Sequence, residues 1–321
     1  MSKRISWIDV AKGILIFLVV LGHSQITKTT ALVIYSFHMA AFFFLSGLTF
    51  SSNNDFWIFL KKKLSALLLP YLAFSFLFLA FQFLKATILH MGVFNLRSGI
   101  VSVFIPISGR ESTSVYGLWF LPCLFLTQVL AYVFFKIFKK NKLFSILFIL
   151  SVILLCFLFG YFVKKVSIID IIPISLAFLL LGYLFKGKEI VDNIKRLIAL
   201  IICLVLFVAT VLLNAYISKS TFDLSSMRLG FLPLYILSGI FGSFFICIIA
   251  MFAQNFNFLQ MLGKNSLYYY GLHYLLIGII EKVVNVKWGG IIQTLLTFAI
   301  LIPLVFLYNK FKIKFFSRRK V

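Results

Sequence analysis

The sequence predicts an all-α fold: a polytopic transmembrane helical bundle of about ten spans, with both termini in the cytoplasm. Three observations predict it. Hydrophobic residues make up 62% of the 321 residues, with 41 Phe among them, and mean hydropathy is +1.09. Charged residues make up only 12%, against roughly 25% in an average soluble domain. Lys and Arg are also distributed unevenly between alternate connections. A water-soluble globule cannot bury that much apolar surface, and a disordered chain has the opposite composition.

A spanning helix needs about 20 apolar residues. Segments near 7–25, 30–51, 64–89, 117–138, 143–163, 167–185, 196–217, 229–253, 266–280 and 288–309 qualify. They lack the alternation of a membrane β-barrel. With the N-terminus inside, twenty basic residues fall on the cytoplasmic side and nine outside. The inside set includes Lys61–Lys63, Lys264 and the tail 310–321. This asymmetry sets orientation. It accounts for most of the +23 net charge, so nucleic acid is not expected as a partner. The first span lacks a convincing cleavage site for a signal peptide. Cys123, Cys156, Cys203 and Cys247 are scattered through different spans without metal-ligand spacing. The chain therefore reads as one membrane-embedded domain over 1–321, with an outer loop at 90–116 able to fold over an opening.

Ionisable residues inside spans are costly and usually turned inward for function. The first span carries Asp9, Lys12 and His23. Eleven helical steps from Lys12 to His23 make three turns plus about 20°, so both lie on one face. Their separation along the axis is roughly 16 Å. Asp9 is placed to pair with Lys12. His38 lies in the outer third of the second span, at a depth expected to be similar to that of His23. Two neutral imidazoles suit proton transfer. The blander alternatives are a snorkelling lysine, a histidine capping the helix end and a single interhelical hydrogen bond. The fourth span opens on Gly117-Leu-Trp119-Phe-Leu-Pro122, and the ninth carries Asn265-Ser266 through Tyr270 to His273. Arg110 and Glu111 lie in the outer loop. Glu281 reads as a solvated charge and His90 has no assigned role. Too few carboxylates accompany the histidines for a metal site, so no metal is expected.

Together these segments resemble the acyltransferase 3 family of integral-membrane acyltransferases. The resemblance rests on Lys12 and His23 with ten residues between them, and on Phe37-His38-Met39 with Phe42 through Gly47. Leu118-Trp119-Phe120-Leu121-Pro122 and Asn265 to His273 complete it. The match is best to the stand-alone sugar O-acetyltransferase branch, fucose 4-O-acetylase-like. Lys12 departs from the arginine of many members, keeping the charge without the planar fork. No extracellular hydrolase-like domain of the kind that some members append is expected.

The resemblance implies an O-acetyltransferase of the bacterial cytoplasmic membrane that modifies a polysaccharide of the cell envelope. Acetyl-CoA would be the acyl donor, held through Lys12 and Asp9, with succinyl left open as the acyl group. The acceptor would be a cell-surface glycan, a lipid-linked sugar or a free sugar. His23 and His38 would be catalytic, His23 as general base or transient acyl carrier. Trp119, Ser266, Tyr270, His273, Arg110 and Glu111 are substrate-binding or structural candidates. Membrane lipid is the expected surrounding, and the alternative reading is a polysaccharide or lipid-linked sugar exporter without acyl transfer.

Overall fold

In lipid each backbone N–H and C=O must be bonded within its own segment, so the apolar runs fold as helices. The computed structural model describes residues 5–88, 90, 95–104, 116–138, 141–159, 168–188, 192–283 and 289–317. Helices α1 (Ser6–Gly22), α2 (Lys28–Tyr35), α3 (His38–Leu48), α4 (Phe56–Lys63) and α5 (Leu69–Thr87) open the chain. Next come α6 (Leu96–Phe104), α7 (Phe120–Ile137), α8 (Lys142–Phe159), α9 (Ile172–Leu184) and α10 (Asn193–Ser218). The last are α11 (Leu232–Phe252), α12 (Asn257–Lys264), α13 (Ser266–Val283) and α14 (Gly289–Ser317). No strand forms among the described residues apart from one isolated bridge, Asp223 to Arg228.

Among the described residues, six segments are long and apolar enough to cross a membrane: Lys28–Leu48, Phe56–Thr87, Phe120–Ile137, Asn193–Ser218, Leu232–Phe252 and Gly289–Phe311. They coincide with six of the ten expected spans. The other four expected spans coincide with the helices α1, α8, α9 and α13. The 17 residues of α1 make about 26 Å of helix, a little under the hydrocarbon thickness of about 30 Å. The chain is a multi-pass membrane protein.

Two expectations change in detail. The second span is two helices, broken at Ser36–Phe37 without proline or glycine. The released Ser36 carbonyl accepts from the Ser238 hydroxyl at 3.1 Å. The connection 90–116 contains a helix, α6, tied to α5 by the Tyr71 hydroxyl donating to Val103 O at 2.8 Å. Between α4 and α5, residues 64–68 widen into a π turn. Pro70, just beyond it, would clash with the carbonyl four residues back in a regular helix, and the wider turn relieves that clash.

The chain divides into two compact units, Met1–Ala31 with Ala253–Val321, and Leu32–Phe252. In the first, α1 and α13 run in the same direction, and α14 returns antiparallel to both. Phe17 stacks on Phe298 at 5.8 Å, and Tyr268 packs on Tyr308 at 5.2 Å. Asn309 Nδ2 donates to Asn265 Oδ1 at 2.9 Å. The short helix α12 crosses α1 backbone to backbone. A Cβ on Gly263 would overlap the carbonyl oxygen of Asp9, and one on Gly13 would overlap that of Leu259. Small residues allow such approaches, which membrane helices use in place of a hydrophobic driving force.

The second unit repeats the device. Gly47 of α3 abuts the Leu179 carbonyl of α9, and Gly182 of α9 abuts the Phe44 carbonyl of α3. Aromatic packing of Phe50, Phe59, Tyr132 and Phe135 closes its core. The α10–α11 turn is held by Asn214, whose side chain donates to Leu229 O and accepts from Phe231 N–H.

Candidate functional site

The first unit gathers most of the sequence-predicted groups along α1. At its beginning lie Asp9, buried at 3% exposure, and Lys12, half-buried one turn on. The α12 crossing sits at this level. Lys264 closes α12 and is exposed there, and Lys310 follows the Asn309 that bonds Asn265. Among the described side chains, this end of the unit therefore carries the cations Lys12, Lys264 and Lys310. Helix α1 runs unbroken to its other end, so Lys12 and His23 keep the common face that their spacing predicts.

His23 terminates α1, its N–H still donating to Val19 O at 3.1 Å. Its ring lies 5.1 Å from that of His273 and 5.5 Å from that of Tyr274, centroid to centroid. His273 is fully buried. Its Nδ1 lies 2.7 Å from the Tyr270 carbonyl and 3.2 Å from that of Tyr269. Carbonyl oxygens only accept, so Nδ1 carries the hydrogen, and in the neutral ring Nε2 holds the lone pair. That Nε2 is buried without a hydrogen-bond partner among the described residues. Tyr270 also packs its ring 6.0 Å from His273, and Ser266 begins the same helix.

The corner after His23 is fixed by polar contacts that sequence reasoning missed. Gln25 N–H donates to Gln293 Oε1 at 2.8 Å, and Gln25 Nε2 donates to Glu281 Oε1 at 3.0 Å. The Ser24 and Thr294 hydroxyls lie 3.1 Å apart. Glu281, expected as a solvated charge, thus also anchors this corner. The available signal was the placing of Gln293, Thr294 and Thr297 on one face of an otherwise apolar run.

His38 sits in the second unit. Its Nδ1 donates to Ile34 O at 2.7 Å across the α2–α3 break, and its ring meets Tyr35 edge-on at 5.2 Å. Trp119 is buried at the start of α7, beside Phe120. Arg110 and Glu111 lie outside the described residues. Among the described residues no three His, Cys, Asp or Glu side chains gather.

A multi-helix membrane protein with paired imidazoles at one end of a helix and a cation at the other is the class these features define. A family model described as an acyltransferase domain matches residues 5–310, nearly the whole chain. The chain belongs to the acyltransferase 3 family, and this supports membrane acyltransferase activity. No curated protein and no solved structure matches it.

Proposed function

We propose that the protein is an O-acetyltransferase of the bacterial cytoplasmic membrane, carrying acetyl from acetyl-CoA to a hydroxyl of an envelope glycan, lipid-linked sugar or free sugar. The observation that carries this reading is the packing of His23 on His273 at 5.1 Å, in a member of this family. Lys12 stands roughly 16 Å down the same helix face.

In this reading the cation-bearing end of the unit faces the cytoplasm. Lys12, with Lys264 and Lys310 nearby, attracts the phosphates of the donor. The pantetheine arm follows α1 and brings the thioester to His23. The His23 imidazole takes the proton of the acceptor hydroxyl as its oxygen attacks the thioester carbon. The C–S bond then breaks, and the imidazolium returns the proton to the departing CoA thiolate. His273 and Tyr274 fix the His23 ring, and the His23–Gln25 corner is anchored to α14. His38, in the other unit, remains a second catalytic candidate, and there it closes the helix break through Ile34 O.

The test is His23→Ala. Membranes bearing the variant should bind acetyl-CoA as before and transfer no labelled acetyl to glycan; wild-type acetyl content would sink the mechanism. Export of glycan without consumption of acetyl-CoA would identify a transporter instead.

A further inference from the structure

Two buried polar atoms beside the His23–Gln25 corner have no hydrogen-bond partner among the described residues: His273 Nε2 and Gln293 Nε2. Their chemistry is opposite. His273 Nδ1 donates to the Tyr270 carbonyl, so its Nε2 is an acceptor. Gln293 Oε1 accepts from Gln25 N–H, which orients the amide and leaves its NH2 as a donor. Both side chains are fully buried, where an unmade hydrogen bond costs about 1–3 kcal/mol. Gly289 packs closely against the same corner: a Cβ there would crowd Gln25 Oε1 at 2.9 Å and touch Gln293 Nε2 at 3.6 Å.

One donor and one acceptor, both oriented, match a hydroxyl group, which needs both. A thioester carbonyl or a phosphate would use only the donor. We infer that Gln293 and His273 bind a non-reacting hydroxyl of the acceptor, adjacent to the one presented to His23. Its O–H donates to His273 Nε2, and its oxygen accepts from the Gln293 NH2. The acceptor is therefore a polyhydroxyl ring and not a simple alcohol. A site built to bond a hydroxyl discriminates strongly against analogues that lack it, because its buried groups are then left unpaired. The inference rests on the acyltransfer reading and assigns the acceptor subsite within it.

The test uses full-length protein in membrane vesicles of the producing cell, with labelled acetyl-CoA varied against the membrane's own glycan. Gln293→Met removes the NH2 donor, and with it the oxygen that accepts from Gln25 N–H, while keeping bulk. Gly289→Val keeps the Gln293 side chain and crowds its NH2 and Gln25 Oε1. Each should lower Vmax by about tenfold or more with the KM for acetyl-CoA unchanged, which also attests folding. Wild-type Vmax in the two variants overturns the inference, and so does a loss expressed in the acetyl-CoA KM. Should Gln293→Met fail to accumulate, Gly289→Val alone decides between these outcomes. An inactive His23→Ala beside fully active Gln293 and Gly289 variants overturns the subsite and leaves acyl transfer standing. Activity in His23→Ala, or none in the wild type, overturns the underlying reading as well.

Discussion

His273 turns Nδ1 toward the carbonyl oxygen of Tyr270, one turn back in its own helix, at 2.7 Å. That carbonyl lies within a regular helix and accepts a second bond without breaking the first. The imidazole is thus held in one tautomer by its own helix, without needing a carboxylate. A histidine fixed this way keeps its basic nitrogen aimed away from the helix that carries it, toward whatever lies across the interface.

This orientation predicts the behaviour of His273→Asn. An Asn amide can take the place of Nδ1 and keep a bond to the Tyr270 carbonyl, while nothing replaces Nε2. The variant should accumulate and melt close to wild type, and its acetyl-transfer rate should fall by about tenfold or more. Transfer at the wild-type rate would reduce His273 to a packing residue.

Lys12 should act on donor binding and not on turnover. Lys12→Ala is expected to raise the KM for acetyl-CoA about tenfold, equivalent to about 1.4 kcal/mol, with kcat little changed. Lys12→Arg should restore donor binding, since the charge returns with a planar fork suited to phosphate. Steady-state kinetics with acetyl-CoA as the varied substrate check both. A fall in kcat alone would place Lys12 elsewhere in the cycle.

The two glycine crossings predict stability losses of similar size for different functional consequences. Gly263→Ala would push a methyl group into the Asp9 carbonyl, and Gly182→Ala would push one into that of Phe44. Overpacking of this kind costs about 1–3 kcal/mol. Thermal unfolding in detergent should reveal both losses. Only Gly263→Ala should also weaken acetyl-CoA binding, because it displaces the helix turn that carries Lys12.

His38 bonds the Ile34 carbonyl at the α2–α3 break. Removing it as His38→Ala should cost about 1–3 kcal/mol by leaving that buried acceptor unsatisfied, seen as a lower melting temperature. His38→Asn, which can keep a donor there, should recover most of that loss. If His38→Asn melts like wild type but transfers no acetyl, the ring acts in the chemistry as well as in the fold.

Positions of the main apolar helices were legible because a membrane helix satisfies its own backbone, so run length alone decides. The common face of Lys12 and His23 was legible for the same reason: helical period needs no partner. The break at Ser36–Phe37 was not, since it depends on Ser238 and on the His38 side chain, which are brought there by tertiary packing. Nor was the meeting of His23 with His273, whose chain positions lie in the first and the ninth expected spans. Gln293 was passed over because a lone amide in an apolar run is affordable in lipid, and only its bond to Gln25 marks it out. Charge distribution suggested an orientation, and it also drew Glu281 as a solvated group, missing its bond to the same corner.

The crossing of Gly13 with Gly263 gives α1 the properties of a ruler clamped at its zero mark. Contact between main chains leaves no side-chain slack, so the helix has no freedom to slide or turn at the level of Asp9 and Lys12. From there to His23 the backbone is a rigid rod of eleven residues. One inserted residue would lengthen it by about 1.5 Å and swing the imidazole by about 100° off its face. Natural length variation in this protein should therefore be confined to its connections, and this stretch should tolerate changes of residue type but never of residue number.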